Sequence, residues 1–186
     1  MMEKCTGKIT EWLIKCDAIQ EEDCKLYEYA MYSILLTLSP ILLALVVGVL
    51  LGATQQGILI IIPFVILRKF SGGYHAKSAG ACFISSSLLL VLCIFLSFIV
   101  ECDWRLWGVT ALSAISLIYF SPIENENRLL NKKEWACYKK IVTAIVICFI
   151  IADLFLFLFK LDTYAICISI GIVLAAGLQL PCMLER

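Results

Sequence analysis

Residues 141–159 read IVTAIVICFIIADLFLFLF, nineteen positions of which only Asp153 is ionisable. A helix needs about 20 such residues to cross the hydrocarbon core of a bilayer, so this stretch reads as a transmembrane helix. Working outward, five more apolar segments lie at roughly 30–51, 57–67, 83–100, 106–120 and 164–184. The whole chain has the same character: 62% of its residues are apolar and 16% are charged, against about 25% charged in a soluble domain. The fold class expected is therefore all-α, a single polytopic membrane domain over 1–186. About six transmembrane helices occupy 30–186, preceded by an N-terminal amphipathic helix within 1–29.

Segment 57–67 is the short member, at about half the length of a straight span, and Pro63 would kink a helix there. It reads either as a crossing or as a re-entrant segment. Charge placement favours the crossing. With six crossings, one side holds thirteen of the fifteen basic residues: four before the first span, three from Arg68 to Lys77, five from Arg128 to Lys140, and Arg186. Only Arg105 and Lys160 fall on the other side. This bias places both termini and the loop after the second span in the cytoplasm of a cell membrane protein.

The residues before the first span are mostly polar and are expected to stay in the mature chain rather than act as a cleaved signal. Among them Ile9, Trp12, Leu13, Cys16 and Ile19 recur at helical spacing, with Glu11 and Lys15 as an i,i+4 pair on another face. Such a helix lies on the membrane surface, as an anchor or as a docking surface for a substrate.

Fifteen basic and fifteen acidic residues balance to a net charge of zero, which argues against a nucleic-acid partner. The ten cysteines form no C-x-x-C pair and the chain has one histidine, so neither a zinc site nor another metal is expected. No cofactor is expected either. Cys93, Cys148 and Cys167 sit inside apolar spans and read as packing residues, while cytoplasmic thiols stay reduced.

One cysteine has a different neighbourhood. Residues 68–84 read RKFSGGYHAKSAGACFI, placing His75 seven residues before Cys82 between two apolar segments. A thiol becomes nucleophilic near neutral pH when an imidazole or a cation lowers its pKa from about 8.5. A spacing of seven on a regular helix would leave the pair about 10.5 Å apart along the axis, so the chain is expected to bend between them. Gly72 and Gly73 supply backbone freedom just before His75. The plainer alternative has His75 capping a helix or meeting lipid headgroups.

Arg68, the string Ser71-Gly72-Gly73-Tyr74-His75-Ala76-Lys77-Ser78, Cys82, and the later Ser121-Pro122-Ile123-Glu124-Asn125-Glu126-Asn127-Arg128 together resemble the accessory gene regulator B family. These are membrane peptidases of Gram-positive quorum sensing. The resemblance implies a cysteine endopeptidase with its catalytic loop over 68–82. Cys82 would be the nucleophile and thioester carrier, His75 the general base, and Gly73 the hinge admitting the substrate. Arg68 would support the oxyanion or bind an acidic propeptide tail, and Glu124 and Glu126 are candidates for a third member that orients His75. The implied substrate is an AgrD-like autoinducer propeptide, which loses its C-terminal tail and closes to a thiolactone or lactone. Membrane lipid is the other expected partner, and a homodimer is an open arrangement. The rival readings are a small six-span transporter or channel, against which the scarcity of intramembrane ionisable residues counts, and a non-enzymatic partner in a signalling complex.

Overall fold

The computed structural model describes residues 7, 10–14, 16, 19–20, 24–72, 79–123 and 131–184, with side chains left undescribed at 26, 28–30, 32–37, 79–83 and 183–184. Every element among them is a helix: α1 Cys24–Leu50, α2 Thr54–Ser71, α3 Ala79–Ile99, α4 Trp104–Phe120, α5 Lys132–Leu158, α6 Asp162–Gly177 and the short α7 Leu180–Leu184. Each expected apolar segment lies within or over one of these helices, and most helices run past the apolar limits because polar residues start them. Asp103 caps α4 by accepting from the N–H groups of Arg105 and Leu106 at 3.0 and 2.9 Å. At the start of α5 the Asn131 N–H donates to Glu134 Oε2 at 2.9 Å, half of a capping box.

The helices run back and forth between two ends of a bundle. At one end the start of α2 meets the start of α6, where Gln55 Nε2 donates to Tyr164 Oη at 2.8 Å. Trp104 of α4 packs edge-on against Phe157 near the end of α5, with ring centroids 4.7 Å apart. At the other end the last residue of α2 bonds to the strand of chain leaving α4, Ile123 N–H to Ser71 O at 2.9 Å. Arg68, Lys69, Lys132, Lys133, Lys139 and Lys140 stand at or near this second end, and Arg105 and Lys160 at the first. We call them the basic end and the opposite end.

Helix α6 is the centre. Ala165, Ile166, Cys167, Ile170, Ile172, Ala175 and Ala176 are all buried, so it is covered on every side by α2, α3, α4 and α5. Gly171 makes the closest approach possible: a Cβ there would lie 2.6 Å from Ile60 O and 2.5 Å from Pro63 Cγ. The proline ring of α2 thus fits a notch in α6, and α2 continues through Pro63 as one helix.

Among the described residues, Lys132–Leu158 and Asp162–Cys182 are long and apolar enough to cross a membrane, fewer than the six spans expected; Leu38–Leu50 of α1, Ile84–Ile99 of α3 and Trp104–Phe120 are shorter apolar stretches. In α2, Thr54, Gln55, Gln56, Arg68 and Lys69 occupy the two ends and leave a short apolar middle. The outward faces are nonetheless strongly apolar, with Leu88, Leu112 and Ile151 each at least 63% exposed. Cys93 and Cys167 are buried as expected of packing residues, whereas Cys148 is exposed on α5 and fills no core position. Its place in the apolar run decided that expectation, but α5 turns that face outward. Among the described N-terminal residues, 7 and 10–14 are helical, Trp12 and Cys16 are exposed, and Thr10 is buried.

Candidate functional site at the basic end

Of the expected site residues, Arg68 is fully described. It lies in the last turn of α2, half-buried, with its guanidinium carbon 6.0 Å from the centre of the Phe64 ring. Its carbonyl accepts from the Gly72 N–H at 3.2 Å, which closes the helix. Cys82 is the fourth residue of α3, and its side chain lies outside the described atoms. Gly73 and His75 lie outside the described residues, as do Glu124, Glu126 and Arg128. The expected bend between His75 and Cys82 falls largely there too; what is described is that helix Ala79–Ile99 includes Cys82. Position 82 therefore lies in the first described turn of α3.

The described residues join the two sequence motifs. Gly72 takes φ of 74°, and a Cβ on it would lie 2.5 Å from Ile123 O. Both facts require glycine: L-residues rarely adopt that φ, and there is no room for a methyl group. Ser71 O accepts from the Ile123 N–H, so Ser71-Gly72 of the first motif and Ser121-Pro122-Ile123 of the second form one joint although fifty residues separate them.

Two further residues complete the joint, and neither was singled out from sequence. Gln179, in the turn between α6 and α7, is fully buried; its Nε2 donates to Ser121 Oγ at 2.8 Å and, at a long 3.5 Å, to Ser71 O. Its signal was a lone amide between Leu178 and Leu180, because a polar group in an apolar segment needs a partner. Lys139 bonds through Nζ to the carbonyls of Ile118, Tyr119 and Ser121 and so covers the C-terminus of α4. The basic run 132–140 is thus divided: Lys139 is structural, while Lys132, Lys133 and Lys140 are exposed.

An apolar cleft opens beside α3, lined by Pro40, Leu43, Ile61, Phe64, Ser86, Leu89, Leu90, Leu174 and Leu178. Ser86 is four residues after Cys82 on the same helix, so position 82 is one turn above the cleft on the face that lines it. By contrast Cys102, between α3 and α4 at the opposite end, is poorly suited to nucleophilic work. Burial and the Asp162 carboxylate that it hydrogen-bonds push its thiol up to about 11.

Comparison with known proteins agrees with the motifs. The family model described as accessory gene regulator B matches residues 6–180. The AgrB-like protein 2 of Clostridium perfringens strain 13 is 22% identical over 144 residues, covering 72% of this chain and 66% of that protein. An AgrB-like protein of C. perfringens strain SM101 is 20% identical over the same shares, and one from Halalkalibacterium halodurans is 22% identical over 79% of this chain and 74% of its own length. This chain therefore spans just under two thirds of the C. perfringens proteins it matches. No solved structure matches. With a match that runs through every helix from α1 to α6 and contains both motifs of the joint, the chain belongs to the accessory gene regulator B family.

Proposed function

We propose that this chain is a membrane cysteine endopeptidase that cuts the C-terminal tail from an AgrD-like propeptide and passes the remaining acyl group on to form a thiolactone or lactone. The observation that carries the reading is the family match over 6–180, which includes Arg68, Gly73, His75 and Cys82. The joint at the basic end supports it, since Ser71-Gly72 leads directly into the segment bearing His75 and position 82 lies in the next helix.

In this reading His75 takes the proton from Cys82 Sγ, and the thiolate attacks the carbonyl carbon of the scissile bond. The C–N bond breaks as His75 returns the proton to the leaving amine, the tail departs, and the acyl group stays on Sγ as a thioester. An internal thiol or hydroxyl of the propeptide then attacks the thioester carbonyl, closes the ring and releases Cys82 as a thiol. Arg68 supports the developing oxyanion or holds the acidic tail. The cleft under position 82 would take the apolar group next to the scissile carbonyl and keep water from the thioester.

The chain would cross the membrane six times with the basic end cytoplasmic. Supporting this, helices α1 to α6 alternate between the two ends, and the cations of the described residues divide as the positive-inside rule requires. Exposed Trp135 near the basic end and Trp104 at the opposite end stand where interfacial aromatics are found.

The transporter reading has one observation in its favour, the buried carboxylate of Asp153, which accepts from Ser169 Oγ at 3.1 Å. Asp153 lies five residues from the end of α5, near the opposite end rather than at mid-depth, and Ser169 Oγ stands 3.1 Å from both of its carboxylate oxygens. The peptidase reading is tested by co-producing the chain with the neighbouring propeptide and weighing the products. A shortened propeptide is expected with the wild type and none with Cys82→Ala or His75→Ala, each present in the membrane at normal level. Cleavage by Cys82→Ala would remove the nucleophile assignment.

A further inference from the structure

The basic run that opens α5 holds cations with two different fates. Lys139 is spent on the carbonyls of Ile118, Tyr119 and Ser121. Lys133 and Lys140 are exposed and make no ion pair or hydrogen bond among the described residues. The acid of the same turn is not available to them, since Glu134 accepts from the Asn131 N–H. Local helix physics gives no reason for Lys133 to stand there, because a cation in a first turn opposes the helix dipole.

Their register supplies a reason. Seven residues is two helical turns, so Lys133 and Lys140 share one side of α5. The same row continues through Ile147, Ile151, Phe155 and Leu158, all of them exposed. From Lys140 to Leu158 the helix rises about 27 Å, close to the hydrocarbon thickness of about 30 Å. Side chains lean toward a helix N-terminus, so the Lys140 stem reaches up from the apolar boundary toward Lys133. Exposed Trp135 stands at a height between the two lysines, where interfacial aromatics mark the headgroup layer. The positive-inside bias accounts for cations at this end, but not for two of them aligned over one unbroken apolar row.

We propose that this outer face of α5 binds an anionic glycerophospholipid, its phosphodiester beside Lys133 and Lys140 and an acyl chain along Ile147, Ile151 and Phe155. The charges and the apolar row together match a lipid, whereas a soluble anion would use the lysines alone. The inference needs only that α5 crosses the membrane, for which it is long and apolar enough, and it holds whether or not the chain is a peptidase.

The test uses full-length protein in detergent, mixed with equal amounts of dioleoylphosphatidylglycerol and dioleoylphosphatidylcholine. Native mass spectrometry weighs the lipid that stays bound longest as collision energy rises. Each lysine near an anionic surface favours it by about fivefold, so the wild type should prefer phosphatidylglycerol by about 25-fold. The preference should vanish in Lys133→Gln/Lys140→Gln, survive in Lys133→Arg/Lys140→Arg, and survive in Lys25→Gln/Lys69→Gln, which removes exposed cations from other helices at the same end. No preference in the wild type, or an unchanged one in Lys133→Gln/Lys140→Gln, overturns the proposal.

If Lys133→Gln/Lys140→Gln does not accumulate, acetic anhydride labelling of the wild type in lipid nanodiscs replaces it. Discs of equal phosphatidylglycerol and phosphatidylcholine should slow acetylation of Lys133 and Lys140 several-fold more than that of Lys25 and Lys69, relative to discs of phosphatidylcholine alone. Equal slowing of all of them overturns the proposal. So does protection of Lys133 and Lys140 in phosphatidylcholine discs by inorganic phosphate or a pentaglutamate peptide as strong as that given by phosphatidylglycerol, since the apolar row would then play no part.

Discussion

The two ends of the bundle are built differently. At the opposite end the connections are short, residues 51–53, 100–103 and 159–161, and local turns shape them, Gly52 at φ of 64° and the Asp103 cap, with the Gln55–Tyr164 hydrogen bond crossing between helices beside them. At the basic end the geometry depends on bonds between residues far apart in sequence, Ser71 with Ile123 and Gln179 with Ser121. The basic end thus ties together segments far apart in sequence beside the loop expected to carry the catalytic residues, and catalytic residues concentrate on loops held by a scaffold. Damage at the basic end should therefore appear in activity first, and damage at the opposite end in stability or not at all.

Glycine substitution gives the largest contrast. Gly72→Ala must place a methyl group 2.5 Å from Ile123 O at a left-handed φ, so the joint has to open. Cleavage of the propeptide should fall more than about tenfold, consistent with the sensitivity of a site to displacements of about 1 Å. Gly52→Ala has the same kind of φ but nothing within 4 Å of the new methyl. It should cost about 1–2 kcal/mol in stability and leave cleavage near wild type. Equal loss of cleavage in the two variants would erase the distinction between the ends.

Lysine substitution should give a smaller contrast. Lys139→Met removes the cation that covers the carbonyls of Ile118, Tyr119 and Ser121, and should lower stability by about 1–3 kcal/mol. Lys160→Met, at the exposed turn before α6, should change it by no more than about 0.5 kcal/mol. Thermal unfolding in detergent, followed by loss of monodisperse protein, compares the two. An unaffected Lys139→Met protein would return that residue to the exposed basic run.

The helices were legible because apolarity is local: segment 106–120 became Trp104–Phe120, and 141–159 became the apolar part of Lys132–Leu158. Their starts were less so, since Asp103 and Glu134 extend helices through residues that carry no apolar signal. The two motifs were also legible as strings. Their meeting was not, because nothing in either string says that Ser71 O accepts from Ile123 N–H. Gln179 shows the same limit, being visible as a lone amide in an apolar segment while its partners lie 58 and 108 residues away. Cys148 shows the converse, since a place within an apolar run does not say whether a helix turns that residue inward or outward.

The proposed chemistry requires Cys82 to carry the acyl group, and rapid acid quenching of the wild-type protein during propeptide turnover tests that most directly. An adduct on the peptide containing Cys82 is predicted, with the mass of the propeptide minus its C-terminal tail and released by hydroxylamine as a thioester is. An adduct of that mass on another residue, or tail removal with Cys82 free at every time point, would contradict it.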